Sequence, residues 1–267
     1  MMKSLSLLFF LLSLSTSICA QSLAVHPWAK KRVAYFGDSI TDKNRNATKK
    51  YWSYLSDWLG IESFVYGISG RQWNDIPNQT DKLLAQHGQD VDAIVIFIGT
   101  NDFNDGVPLG QWFSEVDTTV LFARRDVHGM VSRRMRTPVM DSSTLRGRIN
   151  IAMSKLKQAY PDKQIVVLTP IHRASANFSD SNIQPSEAYT NMIGVFFSDY
   201  VQAIMETANV WSVPVIDLNS LCGLSPEIDA FGSDFMDAQS DRLHPSNKGH
   251  ERIARTLFYQ LASLPVF

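Results

Sequence analysis

The stretch that most restricts the fold is Ala93–Ile98, six apolar residues in a row, closed by Gly99. A strand with one wet face alternates apolar and polar residues. A short run with no polar position fits a strand covered on both faces. Four other runs have a strand's character: Val33–Phe36, Ser63–Tyr66, Gln164–Leu168 and Val213–Leu218. Between and after them lie segments with apolar residues at helical spacing. These are Tyr51–Leu59, Ile76–His87, Ser142–Tyr160 (capped by Ser142 or Ser143), Glu187–Thr207 and Gly249–Leu264. Strands that alternate with helices need crossover connections, so they lie parallel and carry helices on both faces. The pattern predicts an α/β protein: a five-stranded parallel sheet inside a three-layer α/β/α sandwich. In such sheets, ligands bind beyond the carboxyl ends of the strands, so reactive residues belong just after strands.

The chain has 267 residues, 45% hydrophobic and 19% charged, with a formal net charge of −1. That suits one large globular domain and argues against disorder and against a nucleic-acid binder, which carries a basic excess or face. The first twenty residues read as a signal peptide. Lys3 supplies a positive start, Leu5–Leu14 an apolar run, and Ile18-Cys19-Ala20 a small residue before Gln21. A mature chain from 21 to 267 is then expected to be secreted or periplasmic, with no stable membrane insertion. Once Cys19 leaves, Cys222 has no partner; it is expected to pack in the interior. Asn-X-Ser/Thr sequons begin at Asn46, Asn78 and Asn177.

One segment breaks the rhythm. Residues 103–141 are too long for a plain loop and read as an insertion. It holds Phe103, Trp112, Phe113 and Phe122, and the basic cluster Arg124, Arg125, Arg133, Arg134 and Arg136. Alternation over Met130–Val139 hints at a hairpin. An insertion leaving a strand's carboxyl end is expected to shape the site. The arginines could read an acidic substrate such as a uronate, or form a solvated face, and the second reading is favoured.

Three short blocks follow predicted strands: Gly37-Asp38-Ser39, Gly67-Ile68-Ser69-Gly70 and Gly99-Thr100-Asn101-Asp102. A fourth, Asp241-Arg242-Leu243-His244, precedes the last helix. A parallel sheet brings the first three to one edge. A serine becomes nucleophilic when a histidine takes its proton, and a carboxylate fixes that histidine's tautomer. Ser39, His244 and Asp241 are the residue types required. The oxyanion formed on attack needs donors; the N–H groups of Ser39 and Gly70 and the Asn101 amide are candidates. Each block alone also reads as an ordinary turn or helix cap. His172, after the fourth strand, and Asp38 are candidates for lining the substrate pocket, and Asp38 is also expected to brace its turn through hydrogen bonds. No Gly-x-Ser-x-Gly elbow, His-Glu-x-x-His pair or phosphate loop occurs, so those competing active-site layouts are not supported; the expected cofactor set is none.

Taken in order, the four blocks resemble those of the SGNH, or GDSL-type, hydrolases over most of the chain from Arg32 to the last helix. Gly37-Asp38-Ser39 resembles the nucleophile block, and Gly70 matches the glycine of the second. Gly99-Thr100-Asn101-Asp102 matches the third, and Asp241-x-x-His244 the fourth. The resemblance implies a flavodoxin-like fold and serine-dependent ester hydrolysis without a metal. The segment after Asn101 departs from the family pattern. The expected substrate is a small-molecule or carbohydrate ester carrying a short acyl group, such as O-acetyl. Longer acyl esters, or carbohydrate binding without catalysis, are the alternatives.

Overall fold

The computed structural model describes residues 25–44 and 47–266. The expected signal peptide and the Asn46 sequon lie outside the described residues. The elements run β1 (Arg32–Gly37), α1 (Tyr51–Leu59), β2 (Glu62–Val65), α2 (Ile76–His87), β3 (Ala93–Phe97) and α3 (Thr100–Asn104). Then come β4 (Phe113–Arg124), β5 (Val127–Pro138), α4 (Leu145–Ala159), β6 (Gln164–Leu168), β7 (Ala176–Ser179) and β8 (Asn182–Gln184). The chain closes with α5 (Phe197–Trp211), β9 (Val215–Ile216), α6 (Leu218–Leu221), β10 (Phe235–Asp237), β11 (Asp241–Pro245) and α7 (Asn247–Leu261).

The main sheet has the order β2-β1-β3-β6-β9, all parallel. The chain moves outward from β1 to β2, then returns past β1 to β3 and onward. The strand order therefore reverses between β1 and β3, the point where doubly wound sheets leave a crevice. β3 lies mid-sheet, and all five of its residues are buried. Each Ile, Val or Phe there contributes about 1.5–3 kcal/mol by leaving water. One core joins the sheet to α2, α4 and α5; the other joins its opposite face to α1, α6 and α7. Cys222 is buried in the second core, and burial pushes its thiol up to about 11, so it packs as an inert apolar group.

Several boundaries differ from expectation. The helix predicted over Glu187–Thr207 begins only at Phe197. The Asn191 side chain accepts the N–H groups of Ile193 and Val195, which folds that segment into a turn instead. The strand predicted over Val213–Leu218 shrinks to Val215–Ile216, because the Asp217 carboxylate accepts Ser220 N–H and caps α6. Thr144 caps α4, not Ser142 or Ser143. Ser246 caps α7 as expected.

The insertion is mostly one long hairpin. β4 and β5 pair along their whole length, from Phe113 opposite Pro138 to Arg124 opposite Val127. Their contacts are almost entirely with each other. The base is pinned by the Asn150 amide, which donates to the carbonyls of Trp112 (2.9 Å) and Val139 (3.0 Å). Arg136 pairs with Glu115 and Arg134 with Glu115 and Asp117, and all these side chains are exposed. That part of the basic cluster is a solvated face with its own counter-charges. Beyond that base, the contacts of β4 and β5 are mainly with each other.

A second sheet, β10-β11-β7-β8, was not foreseen. It is antiparallel, and its strands are short. Asp241–His244, expected only to precede the last helix, lies on its β11.

Candidate active site

β1 ends at Gly37 because nothing larger fits there. A Cβ at Gly37 would lie 2.5 Å from both the Phe97 carbonyl oxygen and Thr41 Oγ1. The buried Gln79 side chain of α2 closes the strand end: it accepts Gly37 N–H (2.9 Å) and donates to Gly37 O (3.0 Å). Beyond it, Asp38–Asp42 forms one tight turn, in which Thr41 and Asp42 donate their N–H groups to Asp38 O. That turn presents Ser39 above the crevice.

Ser39 Oγ lies 2.9 Å from His244 Nε2. His244 Nδ1 lies 3.0 and 3.2 Å from the two Asp241 oxygens. Residues three apart on a regular strand face opposite ways. Here Asp241 Oδ1 also accepts the N–H groups of Leu243 (3.2 Å) and His244 (3.0 Å), which curls the segment so that carboxylate and imidazole meet. A carboxylate can only accept from Nδ1–H, so Nε2 is left as the acceptor for the Ser39 hydroxyl. All three side chains are largely buried.

The second block is tied to the Ser39 turn. Ile68 N–H donates to Gly37 O (3.1 Å), and Ser69 N–H to Asp42 Oδ2 (3.0 Å). Gly70 follows with φ +79°, a left-handed conformation that a side chain disfavours. Asn101, at the start of α3, donates its amide to Arg71 O (2.9 Å), so the second and third blocks touch. An amide NH₂ has two hydrogens, and the other remains for a ligand. Among the described residues, the N–H groups of Ser39 and Gly70 have no protein acceptor. Three donors with hydrogens to spare thus lie on the loops that follow β1, β2 and β3.

Asp38, a candidate for lining the substrate pocket, borders a small cavity under its turn with Thr100, Arg173 and Leu243. It is 2% exposed, and its carboxyl accepts Ile40 N–H (3.0 Å). Burial pushes its acid up to about 7. His172 is half exposed and pairs through Nδ1 with Glu187, which raises its pKa above the usual histidine value; burial opposes this. It joins none of the Ser39, His244 or Asp241 contacts.

Three residues escaped the sequence reading. Lys50 is 2% exposed and points Nζ at Ser39 O (3.4 Å); burial lowers its pKa to about 8, against the pull of Asp42 and Asp38. The Phe178 ring, 41% exposed, lies 5.4 Å from the His244 ring. Arg148 of α4 reaches Asp102 (2.9 Å) and Gln72 (2.8 Å) beneath Asn101. None sits in a recognisable block; a lone Lys, Phe or Arg carries no spacing signal. Among the described residues, no group of three or more His, Cys, Asp or Glu is placed to hold a metal ion. No helix among them is long and apolar enough to cross a membrane.

Several solved structures superpose on this chain. A protein from Lactobacillus plantarum superposes with a TM-score of 0.68 at 29% identity, over 88% of this chain and 98% of its own. A possible lipase from Chitinophaga pinensis reaches 0.65 at 19% identity, over 88% and 98%. A catalytic mutant of an acetylxylan esterase from Geobacillus stearothermophilus reaches 0.51 at 19%, over 87% and 94%. These last two share the fold. No curated protein matches the chain. The GDSL-like lipase/acylhydrolase family model matches residues 35–252, a span that begins within β1 and runs through His244 into α7. With all four blocks inside that span, the chain belongs to the GDSL-like lipase/acylhydrolase family.

Proposed function

We propose that this chain is a serine esterase that cleaves short acyl esters, with O-acetyl groups on carbohydrates as the preferred class. The observation that carries the reading is the 2.9 Å contact between Ser39 Oγ and an imidazole already oriented by Asp241. His244 Nε2 takes the Ser39 proton as Oγ bonds to the ester carbonyl carbon. The carbonyl oxygen gains the charge and meets the N–H groups of Ser39 and Gly70 and the free Asn101 amide hydrogen. The C–O bond to the alcohol breaks, and His244 returns the proton to the leaving oxygen. A water, deprotonated by His244, then attacks the acyl-enzyme and frees the acid and Ser39. Asp241 stabilises the imidazolium in both halves without itself taking the proton.

The acetyl preference draws on the acetylxylan esterase that shares this fold. Phe178 favours a second reading, longer acyl chains, because an exposed ring beside His244 offers an apolar wall. Rates on p-nitrophenyl esters from C2 to C12 separate the two: a fall with length supports acetyl, a rise supports the lipase-like reading. Acetate release from acetylated oligosaccharides tests the alcohol side. Ser39→Ala should abolish turnover and labelling by a fluorophosphonate probe while leaving the circular dichroism unchanged. A wild-type protein that takes no label and turns nothing over would be a binding protein instead. Export is part of the proposal; the N-terminal sequence of protein recovered from a secreting host, beginning near Gln21, would support it.

A further inference from the structure

We infer that Arg148 is a positioning residue for Asn101, clamping together the two loops that supply oxyanion donors; the inference rests on the serine-esterase reading above. Neither the third block nor the second is rigid by its own backbone alone. Asn101 opens a helix of only five residues, and Gly70–Gln72 is an irregular connection. What joins them is a polar network anchored from outside both, in the first two turns of α4. Arg148 Nη1 donates to Asp102 Oδ1 (2.9 Å) and to Gln72 Oε1 (2.8 Å), one nitrogen with two hydrogens serving both loops. Arg148 Nε donates to Ser142 O (2.7 Å), which fixes the guanidinium plane. The second oxygen of Asp102 accepts Trp73 N–H (3.1 Å), and Gln72 Nε2 donates to Asn101 O (3.1 Å). The Asn101 amide closes the ring on Arg71 O.

Asp102 is fully buried, and its partner cation is the Arg148 guanidinium. Burial pushes the acid up to about 6, with Arg148 the largest opposing influence. Without Arg148 the carboxylate would have to protonate or pull water in, and either change loosens the bond to Trp73 and the start of α3. An oxyanion donor works only near 2.7–3.1 Å, and displacement by about 1 Å can cost on the order of a hundredfold in rate. Arg148 thus acts on the reaction without touching substrate.

The test is a double-mutant cycle between Arg148 and Asn101, read on p-nitrophenyl acetate with proteins verified as folded by circular dichroism. Arg148→Met should lower kcat by roughly ten- to a hundredfold with KM moved less than about threefold. In the Asn101→Ala background the same change should cost less than about threefold, because the donor it positions is gone. Arg148→Lys, which keeps a cation near Asp102 but not the fork, should recover part of the rate. Equal losses in both backgrounds, or a loss confined to KM, would overturn the inference. Should Arg148→Met not fold, Gln72→Leu enters the same cycle: it cuts the link between the loops without leaving a buried charge. Ser39→Ala runs alongside. Wild-type-like turnover by Ser39→Ala would overturn the serine mechanism and the clamp with it. Loss of turnover in Ser39→Ala with an additive cycle would overturn the clamp alone.

Discussion

Replacing Asp38 with asparagine should make the protein gain stability at alkaline pH relative to wild type. Asp38 is buried next to Ser39 in the chain, and burial lifts its acid from an ordinary 3.8 to about 7. Between those two values the folded state holds a proton that the unfolded state releases. Stability from this group is full below the unfolded pKa and is lost as pH rises through the folded one. A rise of that size corresponds to a ceiling of about 4 kcal/mol. From about pH 5 to about pH 8 the loss works out at roughly 2–3 kcal/mol. Asparagine is nearly isosteric and keeps an oxygen for Ile40 N–H, but it has no proton to lose. The assay is urea unfolding, followed by tryptophan fluorescence, of both proteins across that range. The stability difference, variant minus wild type, should grow by roughly 2–3 kcal/mol towards alkaline pH. Asp102, pushed to about 6, tilts both curves alike and largely drops out of the difference. Lys50, held down to about 8, adds its own slope only above that value. A difference constant within about 0.5 kcal/mol would show that Asp38 is ionised in the folded protein over the whole range, and the account of a buried neutral acid would fail.

Two other outcomes follow from the geometry. Asn101→Ala should lower kcat on p-nitrophenyl acetate by about a hundredfold or more with little change in KM, and an effect on KM alone would remove Asn101 from the oxyanion site. Gly37→Ala places a methyl 2.5 Å from the Phe97 carbonyl oxygen and Thr41, so thermal unfolding should show a loss of about 1–3 kcal/mol; an unchanged melting temperature would mean that β1 and β3 can part without cost.

The parallel sheet was legible because its signal is local. An apolar run such as Ala93–Phe97, short, rich in Ile and Val and closed by Gly99, fits a doubly covered strand. The candidate site was legible because Gly37-Asp38-Ser39, Gly70, Asn101 and the Asp241–His244 pair each stand at an element boundary, where a backbone turn limits the residues allowed. What stayed hidden depends on contacts between distant segments. The second sheet pairs Asp241 with Ala176, and neither flank has strong alternation. The helix predicted from Glu187 had acceptable spacing, yet Asn191 diverted it through two hydrogen bonds that no periodicity reveals. Arg148 lies 46 residues from its acidic partner, and Lys50 reads as an ordinary charged residue until the fold buries it.

The tip of the β4–β5 hairpin, Arg124-Arg125-Asp126, is exposed, and Arg125 has φ +52°. Such tips are where proteases cut without unfolding a domain. A trypsin nick there divides the chain into two pieces that each carry part of the candidate site. The first holds Ser39, Gly70 and Asn101; the second holds Asp241 and His244. The pieces remain joined by the β3–β6 pairing in mid-sheet, five residues from Ala93–Gln164 to Phe97–Leu168, and by both cores. The hairpin is therefore a natural seam for fragment complementation: two polypeptides, each silent alone, whose reassembly would be reported by the return of esterase turnover.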